Sequence, residues 1–122
     1  MLACDFGTAD NIAVTRFGLP KSAQWFGVTN YLFYELNDRW RGGARFEAFH
    51  DDDGVRIEPI KSDRPLGRGT LYELTLGLNY RPSANVIVRP EARYDWAASL
   101  SPFDRQTSAE QLTAAIDIIV LF

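Results

Sequence analysis

Residues 71–96 alternate between apolar and polar side chains with almost no error on both sides of one short turn. From Leu71 to Arg81 the even positions are Tyr72, Leu74, Leu76, Leu78 and Tyr80, while the odd ones include Glu73, Thr75, Gly77, Asn79 and Arg81. A period of two with one oily and one polar side marks a β-strand that presents different surroundings to its two faces. Beyond Pro82, Ser83 and Ala84 the pattern resumes, with Val86, Val88, Pro90, Ala92, Tyr94 and Trp96 even and Arg89, Glu91, Arg93 and Asp95 odd. The two runs predict a β-hairpin whose arms have the length, about 9–11 residues, that a tilted strand needs to cross a bilayer. Aromatic residues near the ends of each oily stripe suit the two membrane interfaces.

The remaining strands follow the same rule. Leu2, Cys4 and Phe6 mark one over residues 2–7; Phe26, Val28, Leu32, Tyr34 and Leu36 mark one over 24–36; Trp40, Gly42, Ala44, Phe46 and Ala48 mark one over 40–50. With the hairpin arms at 70–81 and 85–96 and a last strand over 111–122, carried by Leu112, Ala114, Ile116, Ile118, Val120 and Phe122, the count reaches six. Residues 8–22, 51–68 and 97–110 are rich in Asp, Gly, Pro or other polar residues and read as long connections. Asn37, Asp38 and Arg39 make a tight turn, as do Pro82, Ser83 and Ala84. Long connections therefore follow the first, third and fifth strands, and short ones follow the second and fourth. Outer-membrane barrels have this asymmetry, with long outer loops and short periplasmic turns. A repeated unit is visible as well: R-x-E-A-x-x-D runs from Arg45 to Asp51 and again from Arg89 to Asp95, which suits a hairpin meander. The fold class expected is all-β, an antiparallel meander forming the C-terminal part of a transmembrane β-barrel. Alone it would be an open sheet with edges at residues 2–7 and 111–122, prone to assemble, because the smallest single-chain barrels have about eight strands.

Composition changes this picture little. The chain is 46% hydrophobic and 24% charged, ordinary for a soluble protein, but alternation dilutes the apolar residues of a barrel and hides it from such averages. A net charge of −3 argues against nucleic acid as a partner. One cysteine, Cys4, excludes an internal disulfide and supplies no zinc set. Met1 leads straight into strand-like residues without a secretory signal, so residues 1–122 are read as a single fragment of a longer barrel domain.

Candidate chemistry is sparse. Asp51, Asp52, Asp53 and Gly54 resemble a calcium loop but lack the glutamate an EF-hand requires, so a solvated turn is expected. His50 is the sole histidine and has no partner at a catalytic spacing, and Arg41-Gly42-Gly43 sits in an alternating strand rather than an RNA-binding tail. No nucleophile, base and orienter set is present, so no enzyme, metal or cofactor is expected. The polar stripe is the feature with functional potential: Glu35, Arg41, Arg45, Glu47, Glu73, Arg89, Glu91, Arg93, Asp95 and Asp117 all fall opposite the oily face. In a barrel they would line the lumen, where charge rings set ion selectivity, or would pair across strands and keep the interior polar. Tyr34, Trp40, Tyr72, Tyr80, Tyr94, Trp96 and Phe122 would form the lipid-facing aromatic girdle. Opposed residues must share a face, which excludes two- and four-residue loops in favour of odd ones and, with turns centred on Asp38 and Ser83, pairs Glu35 with Arg41 and Glu73 with Arg93. Pro90, unable to donate to a ladder, predicts a bulge or a missing hydrogen bond inside a continuous strand. A soluble barrel of the lipocalin kind, holding a small apolar ligand, is the alternative.

The motifs Trp25-Phe26-Gly27, Tyr31-Leu32-Phe33-Tyr34, Asn37-Asp38, Arg45-Phe46-Glu47 and Asp51-Asp52-Asp53-Gly54 occur together with Tyr72-Glu73-Leu74-Thr75-Leu76-Gly77-Leu78-Asn79. With Val88-Arg89-Pro90-Glu91, Asp95-Trp96 and the terminal strand, they resemble the C-terminal part of the OmpL-like β-barrel porins. The match runs from about Gln24 to Phe122, and residues 1–22 fit poorly. The resemblance implies an outer-membrane barrel with a polar, charged lumen, acting as a porin-like channel for passive passage of small solutes or ions. It also implies partners: outer-membrane lipid, the N-terminal strands of the same barrel, and the barrel-assembly machinery, met through the C-terminal strand.

Overall fold

A computed structural model describes residues 1–14, 20–52, 57, 68–98, 100–103 and 107–122. Six strands, β1 (Leu2–Val14), β2 (Pro20–Asn37), β3 (Trp40–Asp51), β4 (Gly69–Ser83), β5 (Val86–Ala98) and β6 (Glu110–Val120), form one antiparallel sheet in sequence order. Each strand pairs with its chain neighbours, and β1 and β6 are the two edges of an open meander. Away from the two tight turns every ladder joins odd-numbered residues to odd and even to even. The oily stripe is consequently continuous across all six strands, and so is the polar one.

Burial along this sheet is inverted relative to a water-soluble protein. The buried polar residues are Asp51 (0% exposed), Glu73 (7%), Thr75 (8%) and Asp95 (7%), all odd, whereas even-numbered Leu32, Leu112 and Ile116 are 67%, 73% and 67% exposed. Among the described residues the buried hydrophobic side chains are only Ala23 and Ile57. The chain exposes 9100 Å², against about 6,600 Å² for a compact globular monomer of this size. A continuous face of exposed leucine, isoleucine and aromatic side chains is unstable in water and natural in lipid.

Two strands are longer than their sequence pattern suggests. Thr8 to Val14 continues β1 and Pro20 to Ser22 begins β2, so the long connection expected over 8–22 is a strand pair joined through residues 15–19, which lie outside the described residues. Polar side chains at Thr8, Asp10 and Ser22 concealed it; Ser22 Oγ donates to Asp10 Oδ1 at 2.7 Å, a cross-strand bond rather than a loop contact. The last strand ends at Val120, not Phe122. Leu121 is instead fastened to the β4–β5 turn, its N–H donating to Asn85 O at 2.8 Å and its carbonyl accepting from Asn85 Nδ2 at 3.0 Å.

Both tight turns have two residues, contrary to the expectation from parity. Asn37 lies opposite Trp40 around Asp38 and Arg39, and Asn37 Oδ1 accepts the N–H groups of Arg39 (2.9 Å) and Trp40 (3.1 Å), an Asx turn. Such a turn joins an odd residue to an even one and would flip every following side chain. A β-bulge corrects it: Leu36 and Asn37 together face Trp40, and the ladder resumes with Glu35 opposite Arg41. In the second hairpin Ser83 faces Val86 around Ala84 and Asn85, and Arg81 with Pro82 takes up the extra residue before Tyr80 meets Val88. Pro82 belongs in a bulge because it has no N–H to give the ladder.

Pro90 lies within the uninterrupted β5. On the β6 side it stays in register with Ile116, and on the β4 side the ladder passes from Glu91 opposite Gly77 to Val88 opposite Tyr80 without the two pairs between. The missing pairing matches the expectation; no register shift occurs there. Two glycines serve close approach at the end of the strands away from the tight turns. A Cβ on Gly7 would lie 2.1 Å from the Trp25 indole, and one on Gly69 would lie 1.9 Å from Leu100.

Candidate functional site

All ten residues of the polar stripe fall on one face, the odd-numbered one, in cross-strand rows. Thr29, Glu47, Glu73, Asp95 and Gln111 form an acidic row, each opposite the next. One step toward the tight turns comes a basic row of Tyr31, Arg45, Thr75, Arg93 and Thr113. Next is a row of mostly small residues, Phe33, Gly43, Gly77, Glu91 and Ala115. Nearest the turns, Glu35 faces Arg41, Arg41 faces Asn79, and Arg89 faces Asp117.

Glu73 is the hub. Its carboxylate accepts from Arg45 Nε at 2.7 Å and from Thr75 Oγ1 at 2.7 Å, and lies 3.0 Å from Arg93 Nη2. Arg93 also donates to Asp95, with Nε 2.9 Å from both carboxylate oxygens. Glu47 accepts from Thr29 Oγ1 at 3.2 Å. The expected pairing of Glu73 with Arg93 is therefore made, but diagonally: Asp95 stands directly opposite Glu73, and Thr75 stands opposite Arg93. The turn lies one residue beyond the position assumed, with the bulge at Arg81 and Pro82, so the ladder slips by two residues and keeps its face. Glu35 and Arg41 do stand opposite each other, 3.0 Å apart, and Arg89 Nε donates to Asp117 at 3.0 Å. These outer pairs are well exposed and contribute little to stability, about 0–1 kcal/mol each.

The even face carries the aromatic side chains in two groups separated along the strands. Near the tight turns Trp40 stacks on Tyr80 with centroids 4.2 Å apart, and Tyr34 lies on the same face. Toward the far ends Tyr72, Trp96 and Tyr94 stack in sequence at 5.3 and 5.4 Å, with Phe46 against Tyr72 and Trp96. Phe122 extends past β6 at the turn end, fully exposed. Tyr72 and Tyr80 are eight positions apart on β4. That is about 27 Å along an antiparallel strand, or about 20 Å of depth at a typical barrel tilt, close to the roughly 25 Å band between girdles.

Asp51 departs from the solvated turn expected of it. Its side chain is wholly buried at the end of β3 and accepts the Ile57 N–H at 3.0 Å, while Asp53 and Gly54 lie outside the described residues. Neighbouring His50 points to the other face, with Nδ1 2.7 Å from Thr70 Oγ1 and Nε2 3.2 Å from Asp52.

Sequence reasoning missed the small-residue row and the role of two of the aromatics on the polar side, Tyr31 and Phe33, which stack 6.1 Å apart at 14°. Their odd numbers in a strand of otherwise even oily positions were the available signal, and they read there as noise.

The family model described as Putative beta-barrel porin-2, OmpL-like, matches residues 1–122, the whole chain. Comparison with the curated proteins and with the solved structures finds no match.

Proposed function

From a chain that belongs to the OmpL-like β-barrel porin family, we propose an outer-membrane, porin-like channel for passive passage of small solutes or ions. The inverted burial carries the reading: carboxylates and a threonine are buried on one face while leucine, isoleucine and phenylalanine are exposed on the other. A soluble barrel binding an apolar ligand needs the reverse, with its oily face enclosed. In lipid an unpaired sheet edge costs several kcal/mol for each unsatisfied backbone group, on the order of an unmade buried hydrogen bond. The free edges of β1 and β6 thus require further strands, and the six act as part of a larger closed wall. The polar rows then line its lumen, the aromatic groups meet the two interfaces, and β6 is the element offered to the barrel-assembly machinery. The tight turns take the periplasmic side and the longer connections the outside.

Membrane fractionation, heat-modifiable migration on gels and current across planar bilayers test this. The protein should sediment with outer membranes, migrate differently before and after boiling, and give discrete current steps. A protein that stays monomeric in water without detergent and passes no current would refute the proposal.

A further inference from the structure

The polar face contains a hollow of about 460 Å³ whose lining includes Tyr31, Phe33, Gly43, Gly77, Glu91 and Asp117. We propose that it is a binding subsite for arylalkylammonium solutes, compounds with a flat apolar ring and a cationic amine; this rests on the polar face being a channel lumen.

The hollow exists because Gly43 and Gly77 are paired in the middle of the sheet. Glycine there weakens a strand by about 0.5–1 kcal/mol relative to alanine; the Phe33 ring packs over Gly43, but nothing in the packing requires glycine at Gly77. A Cβ on Gly77 would meet only the Pro90 carbonyl, at 4.0 Å, and one on Gly43 would touch the Phe33 ring at 3.4 Å. These glycines differ from Gly7 and Gly69, whose space is filled by Trp25 and Leu100. Open space above a glycine inside a strand, as at Gly77, is one mark of a site where a ligand approaches the backbone closely.

The walls define what fits. Phe33 borders the glycine pair on β2, with Tyr31 stacked parallel to it at 6.1 Å, giving an aromatic wall. Glu91 borders it on β5, across three strands from Phe33. Both arginines of the lining are already engaged: Arg45 donates to Glu73, and Arg89 donates to Asp117. Arg93, the other cation beside Glu91, is drawn toward Asp95 and Glu73. Glu91 has no ion pair among the described residues, although its own strand carries Arg89 and Arg93. The hollow consequently offers an aromatic plane at one side and an uncompensated carboxylate at the other. A ring packed against this aromatic wall with its ammonium directed to Glu91 satisfies both, and the aromatic faces add cation–π attraction. A carboxylate solute would meet Glu91 without a free cation in exchange.

Titration calorimetry on the full-length, closed barrel in detergent tests the site independently of conduction, with 2-phenylethylammonium as probe and ethylammonium and 3-phenylpropionate as controls. The probe should bind more tightly than either control. Glu91→Gln should weaken it about fivefold, the worth of one exposed charge pair, and Gly77→Leu should abolish binding by filling the hollow. Heat-modifiable migration establishes that both variants fold. Undetectable probe binding, equal binding of 3-phenylpropionate, or unchanged binding to a folded Gly77→Leu variant would each overturn the proposal. Binding without current would leave the site standing and remove the channel; current without binding would do the opposite.

Discussion

Replacing Glu73 by alanine removes the acceptor on which Arg45, Arg93 and Thr75 converge. Breaking a buried ion pair typically costs about 3–5 kcal/mol, mostly for the charge left behind. Two features of this site reduce that figure. The side chains of Arg45 and Arg93 are 32% and 43% exposed, so water can take over part of their solvation. Glu73 also stands directly between Glu47 and Asp95, and relief of two like-charge oppositions returns about 0.2–1 kcal/mol each. The net expectation is a loss of about 2 kcal/mol for Glu73→Ala and about 1 kcal/mol for Glu73→Gln, which keeps one acceptor oxygen. Urea unfolding from lipid vesicles, followed by tryptophan fluorescence, measures it. Pairing Glu73→Ala with Arg45→Ala in a double-mutant cycle should show a coupling of about 1 kcal/mol or more. A Glu73→Ala protein as stable as the parent, or more stable, would mean that repulsion along the acidic row outweighs the pairs, and the account of Glu73 as a hub would fail.

The same unfolding assay checks three further expectations. Leu76 lies midway between Tyr72 and Tyr80 on the exposed oily face, so Leu76→Arg should cost about 2–4 kcal/mol in vesicles, whereas Ala115→Arg, opposite Glu91 on the other face, should cost less than about 1 kcal/mol; equal costs would contradict the assignment of faces. Gly7→Val should lose about 1–3 kcal/mol, since its side chain must displace the Trp25 indole, and a neutral effect would show that the indole does not rest there. Asp51→Ala should lose about 1–3 kcal/mol by leaving the Ile57 N–H without its acceptor; no change in the urea midpoint would count against that bond.

The sequence displays the sheet clearly because a strand's two faces differ in polarity along most of its length. Every second residue from Tyr72 to Trp96 had to be oily or polar, and that requirement is visible without knowing any partner. Membership of the polar stripe was legible for the same reason. Side chains that break the rule were where reading failed. Thr8, Asp10 and Ser22 are polar on the even face because they sit near one end of the strands, away from the middle of the apolar band, and so resembled a loop. Tyr31 and Phe33 are aromatic on the odd face, and their meaning depends on a glycine pair one and two strands away, which no local pattern reveals. The burial of Asp51 likewise depends on Ile57 folding back onto it.

Register was a harder problem than face, and the two hairpins show why. Turns centred on Asp38 and Ser83 place Glu35 opposite Arg41 correctly, yet the same argument places Arg93 opposite Glu73, where Asp95 stands, although both pairs looked complementary in charge. An arginine side chain spans the diagonal to a residue two positions along the next strand, so Arg93 reaches Glu73 from either register. Charge can therefore satisfy two ladders that differ by two residues, and both keep every side chain on its proper face. What separates them is the turn. Pro82 cannot occupy a regular ladder position with an N–H to donate; it sits in the bulge, and the bulge sets which two residues lie at the tip. Once Ala84 and Asn85 form the turn, Asn85 is free to hold Leu121 through its side chain and carbonyl, which ties β6 to the same end of the sheet. The acidic row then falls beside the basic row instead of interleaving with it. The segregation of charge along the polar face thus follows from one proline near a turn rather than from the charges themselves.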